Sequence, residues 1–478
     1  MKSDRRFVAI AILAAVLVLV GLLDRADRPP LTPAGARLAT AYAPAASPPD
    51  AFASTWYCPA GTATGGSADS TVVVFNPTGR RLRGSVDVFG SDGNRGSHSL
   101  SVGPRERVAV READVLKAAY VAAMVRLDGG GATVEHATTG PLGEAVGTCA
   151  SSASTNWYVP EGATTRSAQL IYALFNPFPD DAIVDMSFAT EQGRAAPAAF
   201  QGIVVPANGL VPLDVGTHVR RRAHVSAAIH ARRGRVVVET LQVHNGDGRR
   251  GVGLMLGLPR TATSFVFPDG IASPERFEQL HLFNPNRGEA SVQLDLVLDA
   301  GKAQPFQLRV PAQGRITVDL TSESRVPKNV GHALLLRVSN GVPIAVSRTT
   351  DVGPPAARRG YLTDEGATAA ALHWGFAAGG VTPGLDEWIA VINEAPTAVT
   401  VDLTTLTDGR LTALAGLNGV RIPRGGRRVF RLADHGATPD TPIIVNATGP
   451  VVAERSLYSV GGTGASAVMG AVLSTAEG

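Results

Sequence analysis

Two short motifs recur along this chain at intervals of about 100 residues, and their repetition constrains the fold more than any other feature. The first motif, W-Y-C-P at residues 56–59, returns in related form at residues 157–160, 265–268 and 374–377. The second motif, F-N-P at residues 75–77, returns at residues 175–177 and 283–285 and, more loosely, at residues 392–394. A fixed period of this kind indicates one structural module that occurs four times.

An N-terminal segment of a different character precedes the four modules. Residues 7–23 carry no charge and would span about 25 Å as a helix, close to the ~30 Å of a membrane's hydrocarbon core. Lys2, Arg5 and Arg6 precede this segment, whereas acidic residues dilute the arginines behind it, so the positive-inside rule places the N-terminus in the cytoplasm. We therefore expect a single-pass anchor in the cell membrane with all later domains extracytoplasmic; a cleaved signal peptide is the alternative.

Composition separates a stalk from the modules and gives the domain boundaries. Residues 29–52 hold six prolines and eight alanines, which is typical of an extended spacer. The predicted segments are 1–28 for the cytoplasmic tip and anchor, 29–52 for the stalk, and 53–152, 153–260, 261–370 and 371–478 for repeats 1 to 4.

Overall composition and charge narrow the class of protein. With 18% charged and 44% hydrophobic residues, the chain is of ordinary globular type. Its formal net charge of +3 is too small for us to expect nucleic-acid binding. Only four of its 44 Lys and Arg residues are lysine, which favours a GC-rich bacterial source.

Within each repeat the apolar residues alternate with a period of two, which predicts β-strands. The alternation is clear from Val184 to Phe188, and an entirely apolar run before each such strand predicts a more central strand. The Asn-Pro pair that ends the central strand favours a turn, because proline cannot donate to a β-ladder and asparagine bonds to its own backbone. A structural turn role is therefore predicted for the four repeated asparagines, Asn76, Asn176, Asn284 and Asn393.

Each repeat is also predicted to end in a hairpin, such as residues 121–127 with 132–137 or residues 443–446 with 451–455, joined by glycine-containing turns. This pattern gives about seven strands per repeat, the size of an immunoglobulin-like β-sandwich. The predicted fold is all-β, with four tandem sandwiches packed in a row behind one transmembrane helix. A closed, propeller-like ring is the alternative, because residues 465–474 resemble residues 144–152 and the last strand could complete repeat 1.

The two cysteines of the chain, Cys58 and Cys149, bracket repeat 1. An even number of cysteines in an exported chain is expected to pair. We predict a disulfide that ties the start of the repeat to its end and adds about 3–4 kcal/mol; two buried free thiols are the alternative. Neither cysteine has a histidine or a second cysteine at ligand spacing, so no metal site is predicted there.

The sequence contains no nucleophile-elbow, zinc-protease, P-loop or EF-hand pattern, and we predict neither catalytic residues nor a cofactor. His218, His224 and His230 are evenly spaced, but no cluster of carboxylates accompanies them and a metal is not expected. A core role, not a sugar-binding role, is predicted for the repeated tryptophans, Trp56, Trp157 and Trp374.

Arginines in repeat 2 form the most unusual polar feature. They are Arg220, Arg221, Arg222, Arg232, Arg233 and Arg235. If the turns that carry them lie at one end of the sandwich, they form a surface for an anionic polymer, a lipid head group or an acidic protein. Solvated turn arginines without a ligand are the alternative interpretation.

The N-terminal anchor, the W-Y-C-P opening and the repeated F-N-P motif together resemble a family of uncharacterised actinobacterial envelope proteins defined by a domain of unknown function. The resemblance covers residues 52–478, and repeat 4 departs from it by lacking both motif prolines. It implies a location in the cell envelope and carries over no catalytic residue.

The function expected from these features is that of a non-enzymatic, membrane-anchored scaffold or binding protein. Its expected partner is a cell-wall polymer or an envelope protein. The alternatives are an accessory subunit of an envelope glycosyltransferase and a glycan-processing enzyme built as a ring, with acidic residues that converge on a central channel.

Overall fold

The structure, a computed structural model, describes residues 44–246, 248–301 and 303–475. Their regular structure is almost entirely antiparallel β-strand, with short 3-10 helices at Glu112–Asp114, Ala198–Phe200, Val215–Thr217 and Leu432–His435. This confirms the all-β fold class. The predicted anchor at residues 7–23 and most of the predicted stalk lie outside the described residues. Within the described ranges, none of the helices has the length and apolar character needed to cross a bilayer.

Repeat 1 is a sandwich of two four-stranded sheets. Its strands are β1 (Ser54–Cys58), β2 (Asp69–Asn76), β3 (Leu82–Gly90), β4 (Arg95–Val102), β5 (Glu106–Arg111), β6 (Val121–Leu127), β7 (Thr133–Gly140) and β8 (Gly143–Thr148). One sheet has the order β1-β6-β3-β4 and the other the order β5-β2-β7-β8. The two layers are those of an immunoglobulin-like sandwich, with one strand more than its seven-stranded form.

Repeats 2 and 3 follow the same plan. Repeat 2 contains β9 (Asn156–Val159), β10 (Ala168–Asn176), β11 (Ala182–Thr190), β12 (Gly193–Ala195), β13 (Ile203–Val205), β14 (Gly209–Asp214), β15 (Val225–Arg233), β16 (Val237–Gly246) and β17 (Arg249–Leu256). Repeat 3 contains β18 (Ser264–Phe267), β19 (Arg276–Asn284), β20 (Ala290–Leu298), β21 (Phe306–Val310), β22 (Gly314–Asp319), β23 (His332–Val338), β24 (Ala345–Val352) and β25 (Gly360–Glu365). Their sheets have the orders β12-β11-β15-β9, β14-β10-β16-β17, β18-β23-β20-β21 and β22-β19-β24-β25, and β13 also pairs with β11.

Repeat 4 joins its two sheets through one long strand. Its strands are β26 (Ala371–Phe376), β27 (Leu385–Asn393), β28 (Val399–Thr407), β29 (Arg410–Ala413), β30 (Val420–Ile422), β31 (Arg427–Arg431), β32 (Ile443–Ser459), β33 (Ala465–Met469) and β34 (Ala471–Val472). The first part of β32 pairs with β26 and β28, whereas its second part pairs with β27 and β33. The strand therefore passes from one sheet to the other.

The hairpin predicted from the paired runs at the end of each repeat is wrong. In repeat 1, β6 pairs with β1 and β3, whereas β7 pairs with β2 and β8, so the glycines at 129–131 connect two different sheets. The terminal hairpin is instead formed by the last two strands, such as β7 and β8. A glycine turn marks a reversal of the chain, and here the reversal leads to the facing sheet, where both strands bury apolar residues in the interior.

The four repeats close into a ring. The strand that closes the terminal hairpin of each repeat, β8, β17, β25 or β33, is called here its last strand, although the short β34 follows β33. Each of these strands contacts the last strand of the next repeat, and β33 of repeat 4 contacts β8 of repeat 1. The sandwiches predicted from the repeats are thus present, but they do not lie in an open row. The short connections between repeats permit either arrangement, and contacts between residues far apart in the sequence decide between them.

Glycine residues allow the backbones of neighbouring repeats to approach each other closely at the centre of the ring. Equivalent positions near the start of the four last strands are Gly143, Gly251, Gly360 and Gly464, with φ angles of +115°, +153°, +154° and +150°. A Cβ atom at Gly360 would lie 2.6 Å from the backbone nitrogen of Ala465, and one at Gly143 would lie 2.2 Å from the backbone oxygen of Thr463. Any side chain at these positions would push neighbouring repeats apart.

Apolar cores fill the sandwiches and continue across interfaces. The cores of repeats 3 and 4 form one cluster that includes Phe267 and Trp374. Another cluster joins repeats 1 and 2 through Phe89, Phe175 and Leu254. Burial of apolar surface therefore stabilises the contacts between repeats as well as each sandwich.

Residues 44–46 belong to the folded unit. The backbone N–H of Ala46 donates to the oxygen of Val472 at 2.9 Å, and the N–H of Val472 donates to the oxygen of Pro44 at 2.9 Å. The first described residues of the chain therefore lie beside β34, close to the last described residues.

Candidate functional site

The interfaces between repeats contain buried charged side chains at equivalent positions of one strand, the strand that corresponds to β7 of repeat 1. This strand is called the seventh strand of each repeat. The position is occupied by Glu135 on β7, Glu239 on β16, Ser347 on β24 and Glu454 on β32. Each glutamate is at most 1% exposed and accepts a hydrogen bond from a backbone N–H of the preceding repeat in the ring. The donors are Ala378 to Glu135 at 2.6 Å, Ala60 to Glu239 at 3.1 Å and Asp269 to Glu454 at 3.0 Å.

Each of these glutamates also pairs with a basic side chain of the preceding repeat. That side chain lies one residue further along the seventh strand. The three ion pairs are Glu239 with His136 at 2.8 Å, Glu135 with Arg455 at 3.0 Å, and Glu454 with Arg348. Successive side chains of a strand point to opposite faces, so the first of these positions faces one neighbouring repeat and the second faces the other. At the fourth interface the two positions are Ser347 and Thr240, and both charges are absent together. Head-to-tail contacts of this kind are those that generate a closed ring.

The ion pair between repeats 1 and 4 is almost entirely buried. Arg455 is fully buried, lies 4.0 Å from Glu387 as well, and covers the ring of Phe376. Burial raises the pKa of Glu135 and raises that of Glu387 to about 7, although Arg455 acts in the opposite direction. One guanidinium is thus shared by two carboxyl groups, one of which is partly protonated near neutral pH.

Ser70, His136 and Glu239 match the residue types of a nucleophilic triad, but their geometry is structural. The Ser70 hydroxyl donates to Glu112 Oε1 at 2.6 Å and lies 3.5 Å from His136 Nδ1. Burial alone would lower the pKa of His136, but Glu239 and Glu112 outweigh burial and raise it. The Ser70 hydroxyl proton is already donated to Glu112, and Ser70 is only 3% exposed.

At the interface between repeats 2 and 3, the buried carboxylate belongs to the earlier repeat. At the other three interfaces it belongs to the later repeat in the ring. Glu161 follows the first motif of repeat 2, at the position that supplies the N–H donor in the other three interfaces. Arg315 Nη2 lies 2.5 Å from Glu161 Oε2, and its Nε donates to Ser226 Oγ at 3.0 Å. His224 and His281 lie 2.9 Å and 3.1 Å from the two oxygens of Glu161.

Glu161, His224 and His281 also form a group of potential metal ligands, with donor atoms within 4.8 Å of one another. Burial, followed by the charge of Arg315, lowers the pKa of His281 well below its usual value, so the imidazole is neutral. The guanidinium of Arg315 lies 3.3 Å from His281 Nδ1 and supplies the positive charge that a metal would bring. The cluster is therefore explained as an ion-paired network.

Three repeats have an arginine at the same position of the strand that corresponds to β5 of repeat 1, which is called the fifth strand of each repeat. These arginines are Arg107 on β5, Arg315 on β22 and Arg427 on β31. Arg427 is 2% exposed and binds Asp269 at 2.8 Å and Asp299 at 2.6 Å. Arg107 is 14% exposed and donates to the Ala377 oxygen at 2.9 Å and to Asp440 at 2.8 Å. The Asp440 side chain is 77% exposed, so Arg107 has the more weakly held counterion.

A cleft of about 180 Å³ lies beside Arg107, between repeats 1 and 4. Val146, Leu385 and Leu457 give it apolar walls, and Arg107 and Asp440 lie at its polar end. An open groove of about 630 Å³ shares Arg107 and Asp440 with the cleft and is also lined by Arg81 and Arg105. The ion pair between Arg107 and Asp440 therefore stands between groove and cleft.

Differences between equivalent residues explain why the cleft is present at this interface. Ala137 and Val146 of repeat 1 stand where repeat 2 has Leu241 and Leu254. The two leucines fill the interface between repeats 1 and 2 with apolar side chains. The smaller side chains of repeat 1 leave the corresponding space between repeats 1 and 4 open.

The structure places the predicted cysteines and tryptophans in the interior. Cys58 and Cys149 form a disulfide with Cα atoms 4.6 Å apart, which confirms the predicted bridge. The tryptophans of the first motif, Trp56, Trp157 and Trp374, are at most 1% exposed. The indole N–H groups of Trp157 and Trp374 donate to backbone oxygens of Val236 and Val451 at 2.8 Å and 2.9 Å.

The repeated asparagines make closely similar contacts in the four repeats. Asn76, Asn176, Asn284 and Asn393 are at most 1% exposed. In Asn76, Oδ1 accepts from the Thr78 N–H at 3.0 Å, while Nδ2 donates to the oxygens of Arg80 at 2.7 Å and Gly103 at 2.8 Å. Each asparagine thereby ties its own turn to the turn that precedes the fifth strand.

The arginines of repeat 2 occupy two separate places. Arg220, Arg221 and Arg222 precede β15, whereas Arg232 and Arg233 end it and Arg235 follows. A nine-residue strand spans roughly 30 Å, so the two groups lie at opposite ends of the sandwich. Arg232 binds Asp185 at 2.6 Å, and Arg235 covers the ring of Phe178.

The evenly spaced histidines do not converge either. His224 lies beside Glu161, His218 packs edge-on against Phe200, and His230 bonds to Asn156 at 2.9 Å.

Sequence reasoning missed the acid–base pairs of the seventh strands. The signal that could have found them is a pair of titratable residues inside an otherwise uncharged strand, as at residues 135–136 and 454–455.

Comparisons with known proteins match part of the chain to a family. Residues 128–357, just under half of the chain, match the model of a family of unknown function (DUF5719). None of the curated proteins shows a significant match.

Three solved structures show weak similarity to this chain. Thermotoga maritima 1070 is 18% identical over 22% of this chain and 94% of its own, with a TM-score of 0.21. The Anabaena sensory rhodopsin transducer is 23% identical over 19% and 86%, with a TM-score of 0.17. A tetra-tandem repeat from the extending region of a large adhesion protein is 14% identical over 83% and 93%, with a TM-score of 0.11. TM-scores this low support no conclusion about this chain.

Proposed function

We propose that this protein is a non-enzymatic, extracytoplasmic scaffold or binding protein of a bacterial cell envelope, held by its N-terminal segment as a single-pass anchor. The observation that carries the proposal is the contact between repeats 1 and 4, where Glu135 and Arg455 pair without solvent. A chain closed in this way presents its surface loops in fixed relative positions, whereas a flexible string of modules does not. Fixed presentation suits a scaffold.

The chemistry of the chain agrees with this location. The disulfide between Cys58 and Cys149 suits an oxidising, extracytoplasmic compartment. The resemblance to actinobacterial envelope proteins, which rests on the two repeated motifs, points to the same compartment. A cell-wall polymer or an envelope protein is the partner that we propose.

The alternative of a glycan-processing enzyme requires acidic residues that face a central channel. The last strands of the four repeats meet at the centre of the ring, and the buried glutamates around it bond to arginine, histidine or backbone N–H groups. This arrangement favours a structural role for these glutamates. An accessory subunit of a glycosyltransferase would instead co-purify with a membrane enzyme.

Co-sedimentation of residues 42–478 with purified cell-wall material across a salt series tests the proposal. Because the arginines lie at two ends of β15, each end is substituted separately, as R220A/R221A and as R232A/R233A. Binding to an anionic polymer weakens steeply with salt and is lost in one of these variants. Equal binding by both variants at all salt concentrations would remove the anionic-polymer version, and no binding at low salt would direct the search to membrane proteins.

A further inference from the structure

Arg107 is the fifth-strand arginine whose counterion is easiest to replace. The side chains of Arg315 and Arg427 are 3% and 2% exposed, against 14% for Arg107. The sole carboxylate paired with Arg107 within the described part of the chain belongs to Asp440, which is 77% exposed and has a φ angle of +58°. An exposed ion pair contributes about 0–1 kcal/mol, so another anion can displace this carboxylate at little cost.

The cleft behind this ion pair has the size of a small apolar body. Its volume of about 180 Å³ slightly exceeds the roughly 150 Å³ of an apolar protein cavity that accepts benzene. Val146, Leu385 and Leu457 provide apolar surface, and Leu457 is only 4% exposed. Polar residues, among them Thr138, Ser459 and Ser466, also line the cleft. A benzene-sized group fits this space.

Charge near the cleft favours a negatively charged ligand at Arg107. Burial lowers the pKa of Arg107, and the charge of Asp440 opposes that effect. An anion that replaces Asp440 therefore stabilises the charged form of the guanidinium. The neighbouring charges of Glu135 and Arg455 are already paired with each other. Glu144, the other acidic residue that lines the cleft, is exposed to solvent and screened.

We propose that the cleft between repeats 1 and 4 binds a small organic carboxylate. The carboxylate group takes the place of Asp440 on Arg107, and an apolar body of about the size of a benzene ring fills the space beside Val146 and Leu457. This site goes beyond the scaffold role, because a ring that binds no wall material still contains it.

Isothermal titration of the full-length chain in mild detergent with phenylacetate tests the proposal. A ligand of this size with one charged contact is expected to bind with a dissociation constant of about 1–10 mM. Phenylacetamide, which has the same shape without the charge, is expected to bind at least about tenfold more weakly, since a hydrogen bond to a charged group is stronger than a neutral one.

Two variants test the two halves of the site. A137L places in repeat 1 the leucine that repeat 2 has at the equivalent position, and it should weaken phenylacetate binding at least about tenfold by filling the cleft. D440N removes the competing carboxylate and should strengthen binding about two- to fivefold. The matched control is D434N, because Asp434 is also an exposed aspartate paired with an arginine, Arg431, but lies outside the cleft. D434N should leave the affinity for phenylacetate unchanged.

Melting temperatures of the variants establish that each one folds. D440N alters an exposed side chain, so it remains informative if A137L does not fold. Absence of saturable phenylacetate binding up to about 50 mM overturns the proposal, as does binding that is the same in the unaltered chain, D440N and A137L.

Discussion

Replacing Arg455 with threonine perturbs the interface between repeats 1 and 4 at its centre. Arg455 Nη1 and Nη2 lie 3.0 Å and 3.2 Å from the two carboxylate oxygens of Glu135, and both side chains are at most 1% exposed. Removal of one partner of a buried ion pair costs about 3–5 kcal/mol. Glu387 also loses its neighbour, but its pKa of about 7, which burial has raised, lets it protonate. We therefore expect R455T to lower the free energy of unfolding by about 3 kcal/mol.

The chain itself contains the matched control, because Thr240 and Ser347 occupy the equivalent positions at the interface between repeats 2 and 3. E135S leaves Arg455 with Glu387 as a counterion and deprives the Ala378 N–H of its acceptor, for about 2 kcal/mol. The double variant E135S/R455T copies the neutral pair and should also cost about 3 kcal/mol, less than the two single changes together. The expected coupling energy is about 2 kcal/mol.

Urea unfolding of residues 42–478 measures all four members of this cycle. If the two single changes add to within about 0.5 kcal/mol, the side chains do not act as a pair and the reasoning is refuted. An R455T cost below about 1 kcal/mol would show that the guanidinium is exposed to water in solution.

Three further outcomes follow from other parts of the molecule. G360A should cost about 3 kcal/mol in urea unfolding because its Cβ would lie 2.6 Å from the Ala465 nitrogen, whereas G341A, with positive φ but no atom within 4 Å, should cost about 1 kcal/mol. C58S/C149S should lower the free energy of unfolding by about 4 kcal/mol, and a reducing agent should have the same effect on the unaltered chain only. Burial raises the pKa of Glu365 from 4.5 to about 8, so its native state keeps a proton and stability falls as the pH rises from 4.5 to about 8. At pH 8, E365Q should therefore be more stable than the unaltered chain by at most roughly 4–5 kcal/mol, whereas the exposed control E144Q should not differ.

The sequence was sufficient for the elements that depend on local pattern. Alternating apolar residues predicted the strands, and the Asn-Pro pairs predicted turns because the hydrogen bonds that form each turn join residues close in sequence, as between Asn76 and Thr78. The disulfide was predictable because Cys58 and Cys149 were the only possible pair. Each of these inferences needed only neighbouring residues or a count.

Ring closure could not be predicted in the same way. It depends on contacts such as Glu135 with Arg455, which are 320 residues apart and recognisable only once the strands are aligned by their pairing. The recurrent glycine at the start of the last strand was a usable signal, because Gly143 and Gly464 precede the two segments that resemble each other. The two groups of arginines were also hard to place, since Arg222 precedes β15 and Arg232 lies near its end.

Small-angle X-ray scattering of residues 42–478 tests the ring most directly. A single compact body of this length is expected to have a radius of gyration of roughly 22 Å, and a ring of four sandwiches should lie within a few ångströms of that value. Four separate modules in a line, each with a radius of gyration of about 13 Å, would give about 40 Å. A value near 22–26 Å supports the closed ring, and a value near 40 Å contradicts it.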